Sequence, residues 1–178
     1  MTSKNIILIP ARLESSRLKR KLLLNISDKS ILQHTYESSL NSKMSLKTII
    51  LVDSIELFTH CKTFTDDVLM TSKKHKNGTE RIYEYIKSSE TNFNIVNMQA
   101  DEPFTDHKLI DAIFKQLMDG NEIVTAVYEI SDNIIDPNRV KVVLDKNDFA
   151  LYFSRHEIPY NFSKKNKSKK NIHIGIYG

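Results

Sequence analysis

At 178 residues, with 40% hydrophobic and 27% charged side chains, the chain is long enough to bury a sizeable core and is expected to fold as one domain spanning 1–178. Its single cysteine, Cys61, excludes an internal disulfide and any cysteine-cluster metal site, which suits a reducing, cytoplasmic setting. The net charge of +4 is local: five lysines crowd positions 164–170, and removing those five leaves the rest at −1, so no nucleic-acid partner is expected and 163–171 reads as a flexible lysine-rich loop. No signal peptide is expected from the N-terminal stretch, where only four apolar residues separate Asn5 from Pro10, and the longest apolar runs are strand-sized, so no membrane partner is expected either.

Ile6 to Ile9 is an unbroken apolar run, the pattern of a strand buried on both faces, and Pro10 is expected to end it because proline cannot donate to a ladder. The following positions hold Arg12, Arg17, Arg20 and Lys21 with the hydroxyls of Ser15 and Ser16. They emerge at the carboxyl end of the first strand, where open α/β sheets bind ligands, and a polyanion is the natural guest. With only four glycines in the chain, neither G-x-G-x-x-G nor a Walker P-loop can be written, so phosphates would be held by side chains. A solvated basic loop is the alternative reading of the same residues.

Pro10-Ala11-Arg12, Ser15, Arg17-Leu18 and Lys21 resemble the nucleotide-binding signature of the sugar nucleotidyltransferases, and most closely that of the 3-deoxy-manno-octulosonate (Kdo) cytidylyltransferase, or CMP-Kdo synthetase, family. Members of that family usually carry Pro-Gly where this chain has Lys19-Arg20. The turn that presents Lys21 must therefore be built without the residues that normally shape it.

Asp28 or Ser30 is expected to cap a helix bearing Ile31, Leu32, Tyr36 and Leu40. Leu46 to Val52 reads as a second buried strand, Ser54 starts another helix, and Asp67 to Met70 is a third, short strand. This repeated order predicts an α/β fold with a mixed, mostly parallel sheet flanked by helices. Asn77-Gly78 is a turn and Thr79 a plausible N-cap for a helix holding Ile82, Tyr83 and Ile86. The segment His75 with Asn77-Gly78-Thr79-Glu80-Arg81 resembles the H-x-S/N-G-T-E/D-R stretch that the same family places beside its nucleotide.

Phe93 to Met98 reads as a central strand delivering Gln99-Ala100-Asp101-Glu102-Pro103 at its carboxyl end, the edge that also holds Arg12 and Lys21. Adjacent carboxylates at a strand tip suit a divalent cation, and Mg²⁺ is the usual partner of triphosphates; a turn closed by Asp-Glu-Pro is the alternative. The family motif here is Q-G-D-E-P, which this chain matches except at Ala100. The resemblance makes Asp101 the Mg²⁺ ligand and Gln99 and Ala100 nucleotide contacts.

Asp106 caps an amphipathic helix with Leu109, Ile110, Ile113, Phe114, Leu117 and Met118 on one stripe and Gly120 at its stop. Glu122 to Ile130 reads as a strand, and Val140 to Leu144 with Phe149 to Phe153 as a β-hairpin. Asp136-Pro137-Asn138, Ala150 to Arg155 and His173-Ile174-Gly175-Ile176-Tyr177-Gly178 follow the Kdo cytidylyltransferase pattern closely. The resemblance makes Arg155, His173 and Tyr177 contacts of the sugar acid.

The implied reaction is CTP plus Kdo giving CMP-Kdo and pyrophosphate, with Arg12, Arg17, Lys21 and Asp101 as the catalytic set and lipopolysaccharide or capsule precursors as its use. The resemblance runs from Ile6 to Gly178, whereas family members, usually homodimers, continue through a dimerisation region and a later metal-binding aspartate. The chain is accordingly expected to be C-terminally incomplete and to turn over poorly. Alternatives are a cytidylyltransferase for another 3-deoxy sugar acid, or a nucleotide-binding but inactive protein.

Overall fold

A computed structural model describes residues 3–14, 18–87, 89–131, 136–160 and 169–178. The chain falls into two compact units, Met1–Val124 with Ile176–Gly178, and Thr125–Gly175. In chain order the first contains β1 (Lys4–Ala11), a 3₁₀ turn (Lys21–Leu23), the two-residue strands β2 (Asn25–Ile26) and β3 (Lys29–Ser30), α1 (Ile31–Ser39), β4 (Lys47–Val52), α2 (Ile55–Cys61), β5 (Val68–Met70), α3 (Gly78–Ile86), β6 (Phe93–Asn97) and α4 (His107–Met118). The second contains β7 (Thr125–Ile130), β8 (Lys141–Leu144), β9 (Ala150–Ser154) and most of β10 (Lys170–Tyr177).

In the first unit β5, β4, β1 and β6 lie side by side in parallel, and Tyr177 near the chain's end pairs antiparallel with Asn97 of β6. The sheet is therefore mixed and mostly parallel there, as the alternation of strands and helices predicts. Ile6, Leu8, Ile49 and Leu51 project from one face onto Ile82 of α3, with Tyr85, Ile86, Phe93 and Ile95 around them. Alternation along a strand sends Ile7, Ile9 and Ile50 the other way, and all three are fully buried. The helices α1 and α4 touch each other and rest on β4 and β6 respectively, contributing Leu32, Ile110, Ile113 and Phe114 to the core.

Pro10 does not end β1, which runs one residue further in register with β4 (Pro10↔Leu51, Ala11↔Val52). What stops at that point is the pairing with β6, whose last rung is Leu8↔Asn97, closed by Met98 N–H donating to the Leu8 carbonyl at 3.0 Å. In a parallel ladder the residues bonding toward one neighbour alternate, so the rung after Leu8 would need an N–H on residue 10. Proline has none, and β6 parts from β1 there.

Side-chain caps start the helices. Ser30 accepts from Gln33 N–H, Ser54 from Leu57 N–H and Asp106 from Lys108 N–H. Thr79 is not the cap of α3: Asn77, in extended conformation, accepts from Glu80 N–H at 2.9 Å and the helix begins at Gly78. Asparagine is the stronger N-cap of the two, and its position one residue before the glycine sets the start. Gly120 follows α4 with φ +96°, a conformation that favours glycine.

In the second unit β8 pairs antiparallel with both β9 and β10, and β7 also pairs with β10. The β8–β9 hairpin appears as the sequence indicates, its turn held by Asp145 accepting from the N–H groups of Asn147 and Phe149. Residues 122–124 are outside β7; Val124 instead exchanges both backbone hydrogen bonds with Gly178. Of the lysine-rich loop expected over 163–171, positions up to 168 lie outside the described residues, and Lys170 already begins β10. Lys170 is 1% exposed and ion-paired with Glu157, while Lys169 pairs with Glu129 at 2.8 Å. No helix among the described residues is long and apolar enough to cross a membrane.

Candidate nucleotide-binding site

Where β1 and β6 part, the first unit opens into a cleft of about 670 Å³. Three stretches wall it: the end of β1 with the loop beyond it (Pro10, Arg12, Lys21), the start of α3 (His75 to Thr79), and the tip of β6 (Asn97, Gln99, Ala100, Asp101). Tyr177, adjoining β6, lines it too. The cleft thus gathers residues from positions 10 to 177 at the carboxyl edge of the parallel strands, the edge on which such sheets bind their ligands.

Its chemistry centres on Lys21 and Asp101. The ammonium of Lys21 donates to the Asp101 carboxylate at 2.6 Å across 80 residues of sequence, with the side chains 37% and 36% exposed. Both charges therefore remain open to a ligand. The turn that presents Lys21 has Arg20 in the left-handed region, φ 56°, the conformation glycine takes freely, and its guanidinium is anchored to Glu56 at 2.5 Å. Where the family usually has glycine, arginine here adopts the glycine conformation.

Beside Asp101, Glu102 is surface-exposed as a residue, yet enough protein surrounds its carboxyl that desolvation raises it above the ordinary glutamate value. The Asp101 charge raises it further, and Lys21 opposes. Ala100 is buried and turns its carbonyl to Thr35 Oγ1 at 3.0 Å, fixing the loop from beneath. Among the described residues no group of three His, Cys, Asp or Glu is placed to hold a metal. Mg²⁺ commonly takes one or two carboxylates and completes its octahedron with phosphate oxygens and water. A lone partly exposed Asp101 fits an ion that arrives on a triphosphate, not one caged by the protein.

The start of α3 is packed close to β1. A Cβ on Gly78 would stand 2.8 Å from Pro10 Cγ, so glycine is what allows this approach. Below it, Arg81 is 3% exposed and reaches Thr71 Oγ1, the Ser72 carbonyl at 3.3 Å and Asp53 at 3.6 Å, while Asp53 also accepts from Leu13 N–H at 3.0 Å. Burial pulls the Arg81 guanidinium below its ordinary value; Asp53 and Glu84 oppose this and the Arg12 charge adds to it. His75 is bonded to Glu84, whose carboxyl is held down by the N–H of Ser72 and then by His75. Buried Arg81 with half-buried Asp53, and His75 tied to Glu84, thus fix the approach of α3 to the cleft.

Pro10, Arg12, Lys21, His75, Asn77, Gly78, Thr79, Gln99, Ala100 and Asp101 are brought together as the sequence suggests. Ala11 is fully buried as the last residue of β1. Ser15 and Arg17 lie outside the described residues. Arg81 and Asn97 also line the cleft and were not among the assigned contacts; Arg81 closes the motif that begins at His75, whereas no local pattern separates Asn97 from an ordinary strand-end asparagine.

In the second unit Arg155 donates from Nη1 to the Pro137 carbonyl at 3.0 Å. Its own carbonyl is one of three that receive the ammonium of Lys141, with those of Asp136 and Arg139, at 2.8–2.9 Å. Lys141 is 1% exposed and each of its protons has an acceptor. The His173 ring bonds Thr125 Oγ1 at 2.8 Å and meets Phe153 edge-on, and burial pushes its value below that of a free imidazole.

A cation-lined cleft at the carboxyl edge of a parallel sheet, with a carboxylate held against a lysine, is also what the comparison with protein families points to: residues 6–178 match the profile described as Cytidylyltransferase. The chain belongs to the cytidylyltransferase family. A 3-deoxy-manno-octulosonate cytidylyltransferase from Thermodesulfovibrio yellowstonii is 37% identical over 188 residues, covering 97% of this chain and 74% of the relative. One from Rhodopirellula baltica is 40% identical over 185 residues, covering 98% and 74%. Among solved structures, CMP:2-keto-3-deoxy-manno-octonic acid synthetase complexed with CTP superposes with a TM-score of 0.88 at 32% identity, covering 98% of this cytidylyltransferase and 73% of that chain. The family expected from the motifs, and its fold, are borne out.

Proposed function

We propose that this cytidylyltransferase makes CMP-Kdo and pyrophosphate from CTP and 3-deoxy-manno-octulosonate. The observation that carries the reading is the Lys21–Asp101 pair at the mouth of the cleft, a cation and an anion both exposed and touching. Such a pair can exchange its internal contact for a phosphate on one side and a metal on the other. The relatives' names supply the substrates.

In this mechanism a hydroxyl of the sugar acid attacks the α-phosphorus of CTP in line and pyrophosphate leaves, with no covalent protein intermediate. Arg12, Arg17 and Lys21 hold the triphosphate and balance the charge that accumulates on the leaving group. His75 to Thr79 and Gln99-Ala100 take the nucleoside, Asp101 would hold Mg²⁺, and Arg155, His173 and Tyr177 are assigned to the sugar acid. When bound, Mg²⁺ supplies charge neutralisation and alignment of the phosphates. The family placement and the reduced, buried Cys61 support a cytoplasmic enzyme serving lipopolysaccharide or capsule precursors.

The test is to incubate the chain with Mg²⁺, Kdo and each nucleoside triphosphate in turn, assaying pyrophosphate and the nucleotide sugar. Pyrophosphate release with CTP and Kdo together, and CMP-Kdo as product, is expected. Failure to bind CTP, or equal use of every triphosphate, would overturn the assignment.

A further inference from the structure

Among the described residues one buried side-chain oxygen or nitrogen accepts or donates no hydrogen bond within the protein: the amide oxygen of Asn97. A buried polar atom without a partner is disfavoured, and native structures keep few of them. This one stands at a telling place. Asn97 is the last residue of β6, paired with Leu8 on one side and with Tyr177 on the other, at the rung beyond which Pro10 ends the ladder. Residues directly opposite in an antiparallel pair share a face, and Asn97 and Tyr177 both line the cleft. Gln99 and Asp101 follow along the same tip.

An amide oxygen only accepts. Phosphate groups and a carboxylate bring no proton to it at neutral pH, and Arg12 and Lys21 are already suited to those anions. The donors that the substrates bring are the cytosine 4-amino group and hydroxyls; with the base assigned to His75–Thr79 and Gln99-Ala100, the complement of Asn97 Oδ1 is a hydroxyl. We propose that Asn97 is a specificity-determining residue of the cleft, its amide oxygen accepting a hydrogen bond from a substrate hydroxyl. This rests on the cytidylyl-transfer reading, under which the hydroxyl belongs either to the ribose of CTP or to the sugar acid. A site that buries an acceptor for a hydroxyl rejects the analogue lacking it, because the acceptor is then left unpaired.

The experiment is a binding cycle by calorimetry on the parent chain, Asn97→Leu and Asn97→Ala. One arm titrates Mg²⁺ with CTP, 2′-deoxy-CTP and 3′-deoxy-CTP; the other titrates Kdo and its singly deoxygenated analogues in the presence of a non-hydrolysable CTP analogue. In the parent, loss of the partnered hydroxyl should weaken binding about tenfold, and in both variants the two compounds should bind alike. The arm in which the difference disappears names the substrate. Asn97→Leu, close in volume and without the unpaired oxygen, should melt no lower than the parent, which an asparagine kept for structure would not allow.

A parent that fails to discriminate any analogue in either arm would overturn the inference without any variant being made. Discrimination retained in the variants would overturn it as well while leaving the transferase reading intact. A parent that takes up no CTP would remove both.

Discussion

Asp101→Asn separates stability from function. The carboxylate contacts the Lys21 ammonium at 2.6 Å, but 36% and 37% of the two side chains are exposed, so solvent screens the pair and its worth is discounted to about 0.2–1 kcal/mol. Asparagine keeps an oxygen for Lys21, which reduces the loss further. The substitution should therefore shift the urea midpoint by less than about 1 kcal/mol equivalent. Function should respond on another scale, because removing one preorganised electrostatic group at a reacting phosphate commonly costs about 10²–10³ in rate. The assay is CTP titration with and without Mg²⁺, together with pyrophosphate release. In the parent Mg²⁺ should strengthen CTP binding, and in Asp101→Asn that strengthening should vanish. A loss of about 3 kcal/mol or more of stability, with Mg²⁺-dependent CTP binding unchanged, would show that the carboxylate serves the fold and would refute the assignment.

Lys141→Met should destabilise the chain by about 3 kcal/mol or more, since it leaves three backbone carbonyls without their donor in a place that is 1% exposed; a loss below about 1 kcal/mol on urea unfolding would contradict this. Arg20→Gly should be nearly neutral, whereas Arg20→Val should cost about 1–2 kcal/mol, because a β-branched residue resists the φ of 56°. Equal melting temperatures for these two variants would mean that the turn relaxes out of the left-handed region. Stability should also fall on acidification. His60 and His173 both have folded values pushed by burial below the usual 6.5, so the unfolded chain binds protons first as the pH drops through 6.5, weakening the fold by at most about 1.4 kcal/mol per pH unit for each histidine. Glu84, Glu37 and Asp111, with lowered folded values, extend the loss at lower pH, because the stability they contribute above their unfolded values disappears as the pH falls through the folded ones. Urea midpoints unchanged between pH 7.5 and 5.5 would exclude the histidine contribution.

The strands and helices of the first unit were legible because each is a local pattern: apolar runs at Ile6 and Ile49, caps at Ser30, Ser54 and Asp106, a glycine at the end of α4. The gathering of Arg12, Lys21 and Asp101 on one edge followed from strand ends in a parallel sheet. What was not legible depends on partners distant in sequence. Lys170 belongs to a run of lysines that reads as solvated, yet Glu157 allows it to be buried at the start of β10. Arg81 on α3 is buried against Thr71, the Ser72 carbonyl and Asp53 at the end of β4, partners that its own helix does not announce. The cleft itself is missing from any local pattern, since Pro10 ends a pairing and not a strand, and only the position of β6 distinguishes the two. Cys61 is fully buried in α2, and burial pushes its thiol up to about 12.

The missing amide of Pro10 also bears on how freely the binding loops can change. Paired strands lie about 4.8 Å apart, too close to admit a nucleotide between them, and a donor at position 10 would allow β6 to continue alongside β1 past Asn97. The missing donor at position 10 thus helps the two strand ends to separate where the cleft begins. Loop residues such as Lys19 and Arg20 can then depart from the family's Pro-Gly without closing the gap, provided that Lys21 still reaches Asp101. Mutational tolerance should accordingly be higher at position 19 than at position 10, where a residue bearing an N–H could extend the pairing with β6.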